Sequence, residues 1–196
     1  MAKASREQAQ QNRERVVATA ARLFRERGFD GVGISDLMNA AGLTHGGFYA
    51  QFPSKEHLMA EASTKASDDL DRKWQELLAV HPVKSLSAVA SRYLSAEHRD
   101  HPGRGCIAAT LGIDASHHGP LVQSAFTRSV VRSVDFLMQL IPGRSLKTKR
   151  REAIASYAAM VGGMVLARGV DDAALSDEIL EAVRVHLGRT EAAPAA

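Results

Sequence analysis

The stretch Gly42-Leu-Thr-His-Gly-Gly-Phe-Tyr-Ala-Gln-Phe52 constrains this chain more than any other part of it. Gly42 can adopt the positive φ that ends a helix, Leu43 can pack behind the turn, and Thr44 has the side chain of an N-cap for the helix that follows. That next helix is short and contains Gly46-Gly47. Each glycine destabilises a helix interior by about 1 kcal/mol relative to alanine, so helix stability does not explain the pair. Close approach to another molecule does, because the first turn of a recognition helix brings free N–H groups up to base edges and phosphates. The plain structural alternative is a tight turn with its aromatics tucked inside.

The flanking sequence supports a helix-turn-helix. Upstream, Val16, Val17, Ala20, Leu23 and Phe24 recur at helical spacing, with Arg13, Arg15, Arg22 and Arg25 mostly off that stripe, which predicts an amphipathic helix from about Arg6 to Arg27. Gly28 stands at its C-cap position and Phe29 can fold onto its last turn. Ser35 is the N-cap expected for a second helix reaching Ala41, with Leu37, Met38 and Ala41 facing inward. Ser54 should cap a long fourth helix, with Glu56 near its positive end and Lys55 turned sideways toward a partner. That helix continues through Leu58, Met59, Ala62, Leu70 and Trp74 to about Val80, and Pro82 ends it. Further helices are predicted at about 84–98, 105–116, 119–141, 146–168 and 174–188. No segment alternates like a strand. The expected fold is therefore all-α, with a three-helix helix-turn-helix domain over 1–55, a helical body for ligand binding and dimerisation over 56–189, and a flexible tail over 190–196.

Charge is distributed in keeping with that division. Residues 1–55 hold eight Lys/Arg against five Asp/Glu, and residues 56–196 hold 17 of each, so the whole net charge of +3 lies in the segment with the turn. A polyanionic partner is the natural reading of such an excess, and a solvated face is the alternative. The single cysteine, Cys106, excludes an internal disulfide framework. The polar stretch Met1–Arg15 has no apolar signal-peptide region, and the longest apolar run, Ala153–Ala167, is shorter than the roughly 20 residues of a membrane span. A cytoplasmic protein without membrane contact is expected.

Ala20, Leu23, Phe24, Gly28, Phe29, Ile34, Ala41, Gly42, Thr44, Gly46, Tyr49, Phe52, Ser54, Lys55 and Leu58 together resemble the N-terminal domain of TetR/AcrR-family transcriptional regulators. The run Gly-Phe-Tyr-x-x-Phe-x-Ser-Lys is the specific part of the match. Gly105-Cys106 opening a helix, and Leu166-Ala-Arg-Gly-Val-Asp-Asp172 before the last one, also resemble a subgroup of that family. The resemblance implies a homodimer whose N-terminal helices bind a double-stranded operator and whose body binds a small-molecule inducer. It implies phosphate contacts from Thr44, Tyr49 and Lys55, base-facing positions at His45, Gly46 and Gly47, and a place for Ser35 in the same DNA-binding set. Two positions depart from the family's usual pattern: Gly47 stands for a Ser or Thr, and Gln51 for a His or Tyr.

In the body, Cys106 at a helix start beside Arg104 has the setting of a reactive thiolate, although a small buried core residue is the commoner fate of a lone cysteine. His98, His101, His117 and His118 cluster near it in sequence, but their spacing fits no usual ligand pattern, so neither metal nor cofactor is expected. Trp74, Leu111, Phe126, Met160 and Met164, with Cys106, are the candidate lining of an inducer cavity, or simply core. Ala155, Ala159, Gly162 and Gly163 put small residues on a helix apolar nearly all round, and Ile179 and Val183 add a stripe on the last helix. These six are the expected homodimer interface. A ligand-responsive repressor, released from a palindromic operator by a small molecule or an electrophile, follows. The alternative, a small all-α enzyme or binding protein, lacks a nucleophile elbow, phosphate loop or zinc-helix motif in its support.

Overall fold

The structure, a computed structural model, describes residues 2–80, 85–143 and 145–192, with side chains from Arg6 to Gly188. Every regular element among the described residues is helical: α1 Ala2–Arg27, α2 Ile34–Ala40, a 3₁₀ turn His45–Gly47, α3 Lys55–Val80, α4 Leu86–Tyr93, α5 Ala96–Asp100, a 3₁₀ turn Pro102–Arg104, α6 Ala108–Ser116, α7 Pro120–Met138, α8 Leu146–Gly169 and α9 Ala173–Ala192. Pro82 and Pro194, expected to end α3 and to mark the tail, lie outside the described residues. α9 runs to Ala192, past the expected start of that tail at Thr190. The helix expected over 84–98 is two. The chain leaves helical geometry at Leu94 (φ −89°, ψ 50°), whose side chain is buried, and Ser95 caps α5 by accepting from the His98 N–H at 3.2 Å.

The helices gather into two units, one made of residues up to Asp69 with Pro102–Ser129, the other of Leu70–His101 with the chain from Val130 onward. The contacts thus divide α3 after Asp69 and α7 after Ser129, rather than at residue 55. The core of the first unit explains this. Val16, Ala20, Leu23 and Phe24 of α1 pack with Leu37 and Met38 of α2, Leu58, Met59, Ala62 and Ala66 of α3, Leu111 of α6 and Val122 of α7. About four turns of α3 and parts of two helices from beyond position 100 therefore belong to the helix-turn-helix core. Phe24 and Phe29 meet edge to face at 5.2 Å, an arrangement worth about 0.5–1.5 kcal/mol beyond burial. The Phe29 N–H donates to Asp114 of α6 at 2.9 Å, and the Gly119 N–H to Glu56 of α3 at 3.1 Å.

In the second unit α8 packs against α9, which also meets α4. Gly163 permits the close approach: a Cβ there would lie 3.0 Å from Val183 and 3.4 Å from Leu94. The Trp74 indole is stacked between Tyr93 and Phe136, with ring centroids 6.3 and 6.2 Å away. Arg168 donates to the carbonyls of His98 and Arg99, and Arg99 reaches Ser176 and Asp177 of α9 at 3.0 and 2.6 Å. His98 donates from Nδ1 to the Tyr93 carbonyl at 2.7 Å, yet burial dominates and depresses its pKa to about 4.

Candidate DNA interface

α2 begins two residues earlier than expected. Gly33 takes the cap position, its N–H donating to the Asp36 carboxylate at 3.2 Å, so Ser35 lies exposed inside the helix and is not the cap. The acid three residues into the helix already supplies the negative charge its positive end favours. At the other end Gly42 has φ 70°, the Leu43 N–H reaches back to Met38 O at 2.9 Å and the Gly42 N–H to Asn39 O at 2.9 Å. This is a Schellman ending, which turns the chain sharply toward residues 44–52. Arg15 of α1 donates to Ala41 O at 3.4 Å and supports the same corner.

The expected recognition helix is a 3₁₀ turn over His45–Gly47. Thr44 has the extended backbone of a cap (φ −82°, ψ 148°), but its hydroxyl makes no capping bond. The turn is closed by Gly47 N–H to Thr44 O and Phe48 N–H to His45 O, both 3.1 Å, and is continued by bonds from Gln51 N and Phe52 N to Phe48 O, both 2.9 Å. Phe48 and Phe52 anchor it from beneath, fully buried, with Arg13 of α1 over the Phe52 ring at 4.8 Å. Tyr49 stands outward instead. It is 67% exposed, edge-on to Phe48 at 5.1 Å, so the tucked-in alternative does not hold for it.

Gly46 and Gly47 differ from the other tightly placed glycines. A Cβ on Gly103 would stand 2.3 Å from Glu26, and one on Gly28 2.7 Å from Asp114 with φ 76°. Gly46 has nothing within 4 Å, Gly47 has only ordinary contacts to Met38 and Gln51, and neither has positive φ. No internal contact calls for glycine at either position. Thr44, His45, Gly46 and Tyr49 form one exposed ridge, with Gly47 half-buried behind it.

Lys55 is directed inward. Its ammonium donates to Phe29 O at 2.7 Å and the residue is half-buried, because the start of α3 packs beside the loop that follows α1. Ser54 caps α3 as expected, accepting from the His57 N–H at 3.3 Å. Other cations of the basic segment also have internal work: Arg13 pairs with Glu61 at 2.6 Å, Arg22 with Glu26 at 2.9 Å, and buried Arg25 donates to the carbonyls of Gly103 and Gly105. The positive excess of the first 55 residues is thus mostly spent on holding the domain together. Arg15 was not singled out from sequence as a support of the turn, and Gln51 stood out only as a departure from the family's usual pattern. A cation or amide a few residues from an orphan carbonyl is a real signal, but a faint one.

Comparison with known proteins bears on what such a turn serves. The sequence model described as bacterial regulatory proteins, tetR family, matches residues 16–62, from the second half of α1 through α2 and the turn to the start of α3. That segment is similar to the N-terminal domain of TetR-family transcriptional regulators. The chain is 27% identical over 144 residues, 71% of each chain, to the HTH-type transcriptional repressor DhaR of Mycobacterium sp. strain GP1. It is 37% identical over 67 residues to the HTH-type transcriptional repressor KstR2 of Rhodococcus jostii strain RHA1, covering 34% of this chain and 33% of that one. Among solved structures, a TetR transcriptional regulator from Chloroflexus aurantiacus J-10-FL superposes with a TM-score of 0.76 at 27% identity, covering 93% of this chain and 95% of its own. The reduced form of NemR from E. coli, also with a TM-score of 0.76, shares the fold at 23% identity over 95% of this chain and all of its own. These likenesses support a transcriptional regulator of the TetR type.

The regulator's other candidate residues are placed differently from the expectation. Cys106 does not open a helix: α6 starts at Ala108, and Cys106 is fully buried ahead of it. Three of the six candidate ligand residues lie in each unit. Cys106, Leu111 and Phe126 belong to the first, where Leu111 borders, with Phe24 and Phe29, a void too small to hold a water. Trp74 and Met160 do meet in the second unit, around a space of ≈ 10 Å³ shared with Tyr93, Phe136 and Tyr157, while Met164 is buried elsewhere in that unit's core. A roomier hollow of ≈ 340 Å³ in the first unit is an open groove with charged walls, including Arg13, Glu61, Lys65 and Arg128. Of the six interface candidates, Gly163 and Val183 touch each other within the chain, and Ile179 and Ala159 are partly covered. Ala155 is exposed, and Gly162 has nothing within 4 Å of a Cβ position. Around these two run exposed Ile154, Ala158, Val165 and Leu166. Among the described residues no three His, Cys, Asp or Glu side chains gather as a metal site, and no helix is long and apolar enough to cross a membrane.

Proposed function

We propose that this regulator is a ligand-responsive repressor that binds a palindromic duplex as a homodimer and leaves it when a small molecule occupies its body. The exposed ridge of Thr44, His45, Gly46 and Tyr49 carries the reading, because its glycines have no internal reason and its tyrosine no internal cover. Thr44 and Tyr49 would offer hydroxyls to phosphates. His45, with the bare backbone of Gly46 and Gly47, would face base edges, and Ser35 would lie on the flanking helix α2. Lys55 would serve through the Phe29 carbonyl, steadying the domain from behind.

The dimer would form along α8 through Ala155, Ala158 and Leu166, exposed among the described residues, with half-buried Gly162 between them. Two-fold symmetry there would present two turns to successive major grooves about 34–36 Å apart, and an inducer favouring another spacing would release the DNA by population shift. An apolar, uncharged inducer fits the lining of the Trp74 space. An electrophile would have to reach Cys106, which a Cys106→Ser variant tests by losing its response while keeping DNA binding. The decisive experiment pairs sedimentation with DNA binding for Ala155→Arg/Leu166→Glu. This variant should remain folded, sediment as a monomer at micromolar concentration and lose binding to a palindrome selected from random duplexes. A variant that stays dimeric, or a wild type that is monomeric, contradicts the interface; a wild type that selects no duplex contradicts the function.

A further inference from the structure

The side chain of Gln51 is held in a way the fold does not require. Its Nε2 donates to the Gly47 carbonyl at 3.3 Å, four residues back, while its Oε1 is buried with no hydrogen-bond partner. An unpaired buried acceptor is destabilising, so an apolar side chain of similar size would serve the core better. What the amide supplies is one donor at one place, the end of the His45–Gly47 turn. The nearby backbone donors of Gln51 and Phe52 do not do this work, since both go to Phe48 O.

The turn has reason to be held. Two adjacent glycines give it the widest conformational freedom any dipeptide has, and 3₁₀ hydrogen bonding is weaker in geometry than α-helical bonding. Phe48 fixes the chain just after the glycines, by burial. The glycine N–H side is held by the bonds from Gly47 N to Thr44 O and from Phe48 N to His45 O, and the Gly47 carbonyl is held by the amide of Gln51, which crosses the space left by the missing Gly47 side chain: a Cβ there would stand 3.9 Å from Nε2. The two positions at which the chain departs from its family's usual residues are therefore in direct contact.

We propose that Gln51 is a positioning residue for DNA binding: by clamping the Gly47 carbonyl it holds the glycine backbone in the one geometry that meets the duplex, without touching DNA itself. This rests on the assignment of residues 44–49 to the DNA-facing ridge. Loss of the clamp leaves the competent turn populated for only part of the time and lowers apparent affinity by that fraction, while every phosphate and base contact survives once the turn is formed.

The test uses the full-length protein and a duplex that the wild type has selected from random-sequence DNA. For Gln51→Leu, with Gln51→Met as a second apolar variant should leucine impair folding, melting temperature, affinity, salt slope and preferred sequence are measured together. A melting temperature at or above wild type is expected, with binding about tenfold weaker, as follows if the formed turn drops to about a tenth of the population. An unchanged salt slope, an unchanged preferred sequence and faster exchange of the Gly47 and Phe48 amides should accompany it. Unchanged affinity overturns the proposal. A reduced salt slope or altered preference at one base pair overturns it in favour of direct contact, and a melting temperature that falls in step with affinity overturns it in favour of a purely structural role. Tyr49→Ala serves as the control for the underlying assignment: if that variant binds like wild type, the ridge is misplaced whatever Gln51 does.

Discussion

No heavy atom lies within 4 Å of where a Cβ on Gly46 would stand, whereas the rings of Tyr93 and Phe136 flank Trp74 at 6.3 and 6.2 Å around a space of ≈ 10 Å³. The two regions were both candidates for binding, and the contrast separates two meanings of the term. Residues around Trp74 are explained by one another: they fill space, and any ligand must first open it. The exposed residues Thr44, His45, Gly46 and Tyr49 have no such explanation among the described residues. The glycine pair disfavours the turn it forms and the Tyr49 ring stands mostly in water, as the proposed contact with DNA would require.

The largest effects should come from the buried partners in each region. Phe48→Ala and Trp74→Ala each remove a large side chain from a filled site and should cost about 3–5 kcal/mol in denaturant unfolding. They should differ in the second unit: on the proposed reading only Trp74→Ala would change inducer binding, and it also removes the chain's single tryptophan signal. If Phe48→Ala were nearly neutral, the ridge would lack the anchor assigned to it.

Next in size is a pH effect confined to the body. His98 is buried and neutral, with its pKa depressed to about 4 from an ordinary 6.5, so the unfolded chain binds the extra proton between those values. Stability is complete above about pH 6.5 and falls as pH drops toward 4, by up to about 3 kcal/mol for a shift of this size. His98→Asn, which keeps a donor for the Tyr93 carbonyl, should flatten that part of the pH profile in calorimetry. An unchanged profile would remove His98 as its source.

Smallest in stability is Tyr49→Phe. Its ring is mostly in water, so melting should move by less than about 0.5 kcal/mol, while loss of one hydroxyl hydrogen bond to phosphate should weaken DNA binding by about fivefold for all sequences alike. Selective loss of one sequence would reassign Tyr49 to base contact.

What could be read from the sequence followed its range. The Gly42 ending, the Ser54 cap and the Phe48 and Phe52 anchors depend on neighbours within a few residues, and the chain shows all of them. Ser35 failed as a cap because Asp36, accepting from the Gly33 N–H, supports a helix start two residues earlier. Lys55, Arg13 and Arg25 were legible as charge, but their partners Phe29, Glu61 and Gly105 come from other elements, so the inward use of that charge was not. The same holds for Leu111 and Trp74, apolar residues at helical spacing that ended in different units, and for Gly163 and Val183. A helix apolar nearly all round does not say which side its own chain will cover.

The most direct measurement is the affinity of Gly46→Leu for the selected duplex, set beside its stability. A leucine there meets no atom of its own chain, so melting should stay within about 0.5 kcal/mol of wild type or rise. The side chain would stand where the backbone must approach DNA, and binding should weaken more than tenfold, the equivalent of about 1.4 kcal/mol. Wild-type affinity in a folded Gly46→Leu protein would contradict the claim that this turn is open for the sake of DNA.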